Sequence, residues 1–308
     1  MVKLMLMLPY VQTSVFVDDR HAFGGNQLAT FWKKDMNAQI NTEIMQGIAL
    51  EMNFSETTFI ETSKLKDCAA RVRIFTPANE IAFAGHPTLG TAFVLRHKKL
   101  LPEEMTQATL ELGIGAIPVE FGPADVIRMN QPQPKYLDKF TDYEGIAQSV
   151  GLASNAISDE LPMLFVATGH PFLIVPITSL AAIQRAQPNG SLILQILANQ
   201  TSSNIVLLTT ETVHSESDVH VRMFAPDVGV LEDPATGSAA GPIAAYLEYH
   251  DVLKRAKQGE PIIIEQGYEI RRPSQLIAEV VGGDTPQSVY VSGKVKLIAE
   301  GNFYINPG

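Results

Sequence analysis

Two periodicities run along the chain. Residues 11–17 alternate and are rich in β-branched side chains, which predicts a strand ending at Asp18-Asp19. In the next apolar stretch, AFGGNQLATFW, Gly24-Gly25 makes a turn and Asn26 is able to cap, so Leu28, Ala29, Phe31 and Trp32 predict the start of a helix. Helical spacing runs from 41 to 52 (Ile44, Ile48, Ala49, Met52). Strands follow at 57–60, with Glu56 at the mouth, and at 71–75, broken by Thr76-Pro77. Alternation returns over 106–119, and GPADVIRMNQPQPKYLDKF predicts a connection between domains. Beyond it the pattern predicts helices at 143–150 and 191–198, and strands at 164–166, 172–175, TSSNIVLLTT and 218–224. After Lys257-Gln258-Gly259 come strands at 262–265, 275–281 and 288–298, ending near Tyr304.

Two stretches fit neither a half-buried strand nor an amphipathic helix: AFAGHPTLGTAFVL (82–95) and EDPATGSAAGPIAAYLEY (232–249). Each is apolar nearly all round once begun, which predicts a buried helix. In each, a polar residue, His86 or Asp233, precedes a proline, and a glycine with a hydroxyl residue (Gly90-Thr91, Gly237-Ser238) follows. Aspartate is a favoured N-cap, histidine a less usual one, and proline suits the first helical position. Such a start presents unpaired N–H groups and a positive dipole end, which suits a carboxylate. Taken singly, each is an ordinary cap. Pro242 predicts a kink or a delayed start, because it forfeits the bond to the Ser238 carbonyl.

The two starts belong to an internal repeat. RIFTP (73–77) overlays RMFAP (222–226), and after a two-residue difference in the loop His86 falls against Asp233 and Thr91 against Ser238. Upstream, NFSETTFIET overlays QTSSNIVLLTT, with Glu56 against Asn204. A period near half the chain predicts a duplicated fold whose copies face each other across a pseudo-two-fold, with a ligand cleft between them. The halves are drawn at 1–122 plus 292–308, carrying Glu56 and His86, and 123–291, carrying Asp233 and Ser238. The repeat is chemically lopsided, because a glutamate in one copy meets an asparagine in the other.

Composition narrows the function. The 308 residues are 45% hydrophobic and 18% charged, which is a folded domain pair, and the net charge of -10 disfavours nucleic acid. One cysteine, Cys68, allows no internal disulfide, so a cytoplasmic location is expected. The opening MVKLMLMLPY is too short to span a bilayer and reads as a leading strand, so no membrane is expected. No G-x-G-x-x-G dinucleotide fingerprint occurs, GSAAG lacks the G-x-S-x-G elbow, and the seven histidines show no metal-ligand spacing, so neither a metal nor an organic cofactor is expected. His170, before an apolar β-type run, reads as structural.

With FGGNQLA, NFSETTF, RIFTPANEIAFAGHPTLGTA, TGHPFLIVP and RMFAPDVGVLEDPATGSAAG in view, the chain resembles the phenazine-biosynthesis PhzF-like isomerase family, within the diaminopimelate-epimerase superfamily. The resemblance implies an α/β fold of two pseudo-symmetric halves, each a curved, barrel-like sheet wrapped around a central helix, in a homodimer. It also implies that Glu56 moves the proton, with His86 and Asp233 as catalytic partners. Gly85, Gly237, Ser238, Asn26 and Ser55 become substrate-binding positions. The two catalytic cysteines of diaminopimelate epimerase are missing, since Cys68 falls well before His86, so a two-thiol racemase is excluded. Gln27 stands where the family usually has proline.

The expected activity is a cofactor-independent isomerisation of a small carboxylate-bearing or amino-acid-like substrate. Glu56 would take a proton from an activated carbon and return it elsewhere, in an apolar setting supplied by Phe54, Phe59 and Ile60. Ser238 and the helix-start donors would take the carboxylate. A noncatalytic binding protein on the same scaffold and an epimerase with non-thiol acid and base groups are the alternatives.

Overall fold

Runs of β-branched and aromatic residues build seventeen strands, and six helices join them, among the described residues: 5–33, 35, 40–253, 259–282 and 288–305 of this computed structural model. The opening MVKL and Lys257-Gln258 lie outside those residues. Two compact units form. Unit 1 comprises Met1–Val15, Gln27–Met129 and Lys294–Gly308, and unit 2 comprises Phe16–Asn26 and Asn130–Gly293. No helix of the described residues is long and apolar enough to cross a membrane.

Unit 1 holds β1 (Leu6–Val15), β2 (Asn26–Trp32), α1 (Thr42–Met52), β3 (Glu56–Glu61), β4 (Ala70–Phe75), β5 (Glu80–Ile81), α2 (Gly85–His97), β6 (Gln107–Leu112), β7 (Gly115–Phe121) and β8 (Val126–Gln131). β1 pairs with β2, β2 runs parallel to β3, β3 antiparallel to β4, β4 parallel to β6, and β6, β7 and β8 follow antiparallel. The second part of β17 (Ser288–Ile305) lies antiparallel to β1, and β17 also pairs with β8, which closes eight strands around α2. Every residue of α2 from Gly85 to Leu95 is buried. The fit is close at Gly90, where a Cβ would come within 2.5 Å of Leu28 Cδ2 and 2.9 Å of Val15 Cγ2. Outside the ring, Met45, Ile48 and Ala49 of α1 pack on Phe31, Phe59 and Phe75.

Unit 2 repeats this plan. Its elements are β9 (Lys135–Lys139), α3 (Tyr143–Ser149), β10 (Leu164–Ala167), β11 (Pro171–Pro176), α4 (Leu180–Arg185), α5 (Gly190–Ile196), β12 (Ile205–Thr209), β13 (Val219–Ala225), β14 (Val230–Asp233), α6 (Gly237–Tyr249), β15 (Ile262–Gln266) and β16 (Ser274–Val281), with the first part of β17. β9 to β11 are antiparallel, β11 runs parallel to β12, β12 antiparallel to β13, β13 parallel to β15, and β15, β16 and β17 close the order antiparallel. Strand for strand this is the order of unit 1, with α6 in the place of α2. The α/β fold of two similar halves read from the sequence is therefore observed.

Four expectations are corrected. Residues 26–32 form a strand, not a helix start: five of the seven are buried apolar or hydroxyl side chains, and β3 satisfies their backbone in parallel pairing. A run buried on both faces has no period to read. Neither His86 nor Asp233 caps its helix. The N-cap positions are Ala84 and Thr236, and neither makes a side-chain cap bond. Counted from the observed helix starts, Gly85 falls opposite Gly237, so Ser238, and not Asp233, is the counterpart of His86. Pro242 sits inside one continuous helix.

The RIFTP/RMFAP repeat has a physical cause. Arg73 grips Glu80 bidentately at 2.8 and 2.6 Å, and its guanidinium lies 5.2 Å from the Phe75 ring centre. Arg222 does the same with Glu232 (2.9 and 2.7 Å) and Phe224 (5.3 Å). Each arginine also ties down a helix outside the ring. Arg73 donates to Thr42 Oγ1 at the start of α1, and Arg222 donates to the carbonyls of Ile183 and Ala186 at the end of α4. The copies differ in depth: the Arg222 and Glu232 side chains are 5% and 8% exposed, those of Arg73 and Glu80 13% and 38%. Removing one member of a buried pair strands the other. Arg222→Ala therefore lowers unfolding free energy by about 3–5 kcal/mol, and Arg73→Ala by about 1 kcal/mol, measured by urea denaturation. Equal losses would contradict this reading of the two depths.

Candidate active site

The chain enters β3 through a tight reversal. Asn53 closes α1 with φ 51°, donating its N–H to the Ala49 carbonyl, and asparagine tolerates this left-handed conformation better than most residues. Ser55, partly buried, and Glu56 follow at once, so Glu56 is the first residue of β3, in register with Leu28. Alternation places Glu56, Thr58 and Ile60 on the face toward α2. Thr58 confirms that face, since its hydroxyl accepts from Thr91 of α2 at 2.9 Å and bonds Thr30 at 2.8 Å. Phe59, by contrast, belongs to the cluster under α1, and Phe54 packs against that cluster. Of the three apolar neighbours read from the sequence, Ile60 alone shares the face of Glu56.

His86, the second residue of α2, is 3% exposed. Its Nε2 lies 3.5 Å from Glu56 Oε2, and the Glu56 side chain retains 16% exposure. Burial pushes the imidazole down to about 3, against a smaller opposing effect from its hydrogen bond to the Gln27 backbone. The ring is neutral at ordinary pH. With Nε2 turned to Glu56, Nδ1 is the atom that donates to the Gln27 carbonyl, and a neutral ring then carries its lone pair on Nε2. The structure thus brings Glu56 and His86 together as the sequence predicts, but as a carboxylate beside a neutral ring and not as an ion pair.

The second group lies in unit 2. Asp233, at the end of β14 and 7% exposed, accepts from Asn26 Nδ2 at 2.8 Å on Oδ1 and from the Thr236 hydroxyl at 2.6 Å on Oδ2. Gln266, at the end of β15, donates to the Asp233 carbonyl at 2.7 Å and to Thr236 Oγ1 at 3.0 Å, and accepts from the Thr236 N–H at 3.0 Å. Asn26 also donates to the Ala235 carbonyl at 3.0 Å. Both Asp233 oxygens are therefore oriented by neutral donors. Gly237 is buried, and its carbonyl accepts from Gln131 at 2.8 Å; Ser238 is half-buried at the second helical position. Asn26 and Asp233 are brought together as candidates. Thr236 and Gln266 escaped the sequence reading, although Thr236 stands within EDPATGSAAG.

The counterpart of Glu56, Asn204, is 3% exposed, and its amide nitrogen lies 2.5 Å from His170 Nε2. His170 is a structural partner of that asparagine, and burial lowers its proton affinity.

Comparison with known proteins identifies the family. A sequence profile of the family described as phenazine biosynthesis-like protein matches residues 14–301. Trans-2,3-dihydro-3-hydroxyanthranilate isomerase of Pseudomonas aeruginosa is 34% identical over 286 residues, covering 91% of this chain and 94% of that protein. A PhzF family protein of Bacillus anthracis superposes with a TM-score of 0.87 at 27% identity, covering 98% of this chain and all of that one. A hydroxyproline epimerase from Agrobacterium vitis shares the fold at 8% identity, with a TM-score of 0.65 over 98% of this chain and 93% of that one. The chain belongs to the phenazine biosynthesis-like (PhzF) family, and it is an isomerase.

Proposed function

We propose that this isomerase works without a cofactor and moves one proton on a small carboxylate-bearing substrate, with Glu56 as the group that takes and returns it. The observation that carries this reading is the Glu56–His86 pair, a partly exposed carboxylate set 3.5 Å from a buried neutral imidazole. When Glu56 is ionised, Oε2 and Nε2 face each other as two acceptors. Taking a proton from a substrate C–H relieves that opposition, and the electron pair left on carbon shifts the double bond. Returning the proton to another carbon of the same system completes the isomerisation and restores the carboxylate, so no net proton is consumed. His86 then accepts a hydrogen bond from the protonated Glu56 and holds the proton in place.

The binding groups are proposed from the polar residues at the helix and strand starts of each unit. Asp233, fixed by Asn26 and Thr236, is proposed to hold an amine or hydroxyl of the substrate. Ser238 and the uncapped N–H groups at the start of α6, and Gly85 with Ser55 at the starts of α2 and β3, are proposed to take its carboxylate. The Pseudomonas aeruginosa relative is named for a dihydro-hydroxyanthranilate, and cyclic unsaturated amino acids of that kind are the first substrates to test.

In deuterated solvent, the wild type is expected to place label on a candidate dihydro-hydroxyanthranilate, and Glu56→Gln to lose exchange by roughly 10³-fold. The readout is NMR of recovered substrate and product. Binding of the panel without any exchange would make the protein a noncatalytic binder, and inversion at one carbon without a moved double bond would make it an epimerase.

His86 also sets a pH dependence of stability. Its folded value of about 3 lies below the unfolded 6.5, so between these the unfolded chain binds more protons and stability falls as pH drops through 6.5 toward 3. Between pH 7 and pH 5 the wild type should lose about 2 kcal/mol more than His86→Gln in urea titrations. Parallel losses would show that His86 is protonated in the folded protein.

A further inference from the structure

We propose that Gln266 is a positioning residue of the Asp233 group: its amide sets the direction of the Thr236 hydroxyl, so that the hydroxyl proton is delivered to Asp233. This rests on the reading of Asp233 as the group that holds the substrate's amine or hydroxyl, and it assigns what keeps that group aligned.

Gln266, the last residue of β15, is 1% exposed and commits its whole amide to the loop between β14 and α6. Oε1 accepts from the Thr236 N–H at 3.0 Å, and Nε2 donates to the Asp233 carbonyl at 2.7 Å and to Thr236 Oγ1 at 3.0 Å. The amide sits one way only, because its reverse would set oxygen against the Asp233 carbonyl and NH2 against the Thr236 N–H. A hydroxyl has a single proton to give. With Gln266 donating to Thr236 Oγ1, that proton goes into the 2.6 Å bond to Asp233 Oδ2. The order amide N–H, hydroxyl O–H, carboxylate therefore runs in one direction, from Gln266 to Asp233.

The fold itself does not ask for this chain of bonds. The Arg73–Arg222 match sets Ala70 over Val219, and both strands hold their parallel neighbours in the same register: Ala70 faces Leu110, and Val219 faces Ile264. Two residues on, Leu112 is the counterpart of Gln266. By the same count Ile74 faces Ile81 where Met223 faces Asp233, and the helix N-caps Ala84 and Thr236 coincide. The glycine after each strand is packed alike. A Cβ on Gly113 would come within 2.7 Å of Ala82 Cα, and one on Gly267 within 2.5 Å of the Pro234 carbonyl oxygen. Unit 1 thus builds the same junction from Ile81, Ala84 and Leu112, where unit 2 has Asp233, Thr236 and Gln266. Burying polar groups carries a desolvation penalty that hydrocarbon avoids. A polar trio at a junction that apolar side chains can build points to a role at Asp233 and not in holding the strand.

The test swaps the two ends of the chain of bonds. Gln266→Glu sets a second carboxylate beside Thr236, so that one hydroxyl proton faces two acceptors. Adding Asp233→Asn restores a donor at one end, and the bonds then run in reverse. In urea denaturation of the full chain at pH 7, Gln266→Glu should lower the midpoint and Asp233→Asn should recover part of that loss. A glutamine that merely fills the loop gives additive losses, and additivity overturns the proposal. In label exchange on trans-2,3-dihydro-3-hydroxyanthranilate, Gln266→Glu should raise KM about tenfold, the worth of a hydrogen bond to a charged group, with kcat within about threefold of the wild type. The double variant, although restabilised, should keep the raised KM; an unchanged KM in Gln266→Glu overturns the proposal. Absence of exchange by the wild type, or exchange kept by Glu56→Gln, fails the Glu56 reading alone, because the urea cycle requires no turnover and still decides on Gln266. Should Gln266→Glu not fold, folding of the double variant supports the proposal. If neither folds, Gln266→Leu and Thr236→Val replace them: together they should lower the midpoint no further than Gln266→Leu does alone, and additive losses overturn the proposal.

Discussion

A helix closed in by strands on all sides has only its ends left for chemistry. In unit 1 that constraint governs everything near Glu56. From Gly85 to Leu95 the helix is buried, so any polar side chain in its first turn is desolvated by the ring that surrounds it. Histidine at the second position meets this by staying neutral, with one nitrogen on the Gln27 backbone and the other turned to Glu56. A charged residue there would need a full counter-charge in the same dry space. The helix thereby converts a scaffold requirement into a fixed acceptor beside the carboxylate.

The duplication explains why the two copies carry different chemistry on one plan. Strand order, parallel crossings and the arginine–glutamate–phenylalanine grip are common to both, and these are the parts that hold a helix inside a ring. What differs stands at the strand and helix starts. Glu56 and His86 in one copy correspond to Asn204 and Ser238 in the other, and the second pair includes no side chain able to take up a proton from carbon at neutral pH. One scaffold thus supplies a single proton carrier and a polar counterpart suited to gripping.

Much of this was legible in the sequence, for reasons that follow from distance along the chain. The α1 helix announces itself through the helical spacing of Ile44, Ile48, Ala49 and Met52, and the structure adds Asn41 as its side-chain cap and Asn53 as the residue that closes it just before Glu56. The repeat was visible because RIFTP and RMFAP keep a local Arg-x-Phe spacing. The misplaced features depend on long-range partners. The 26–32 strand has a doubly buried face pattern that a helix start also fits, and only pairing with β3 decides it. The Asn26–Asp233 bond joins residues 207 positions apart. The overlay of His86 on Asp233 came from matching the prolines that follow each, but Pro87 lies within its helix and Pro234 lies before the other.

The β15–β16 turn shows how closely the unit 2 networks are coupled. Within five consecutive residues four hold partners: Glu265 and Glu269 take the two nitrogens of His220, Gln266 holds the Asp233 carbonyl and Thr236, and Tyr268 donates to Asp18. Between them Gly267 has φ 81°, and a Cβ there would come within 2.4 Å of the Arg272 carbonyl oxygen and 2.5 Å of that of Pro234. No other residue fits without moving one of these backbones. The backbone that carries Glu269 to His220 is thus wedged against the residue that follows Asp233. A displacement at Glu269 must be absorbed within two residues or be felt at Gln266, and the packing at Gly267 leaves little room for the first.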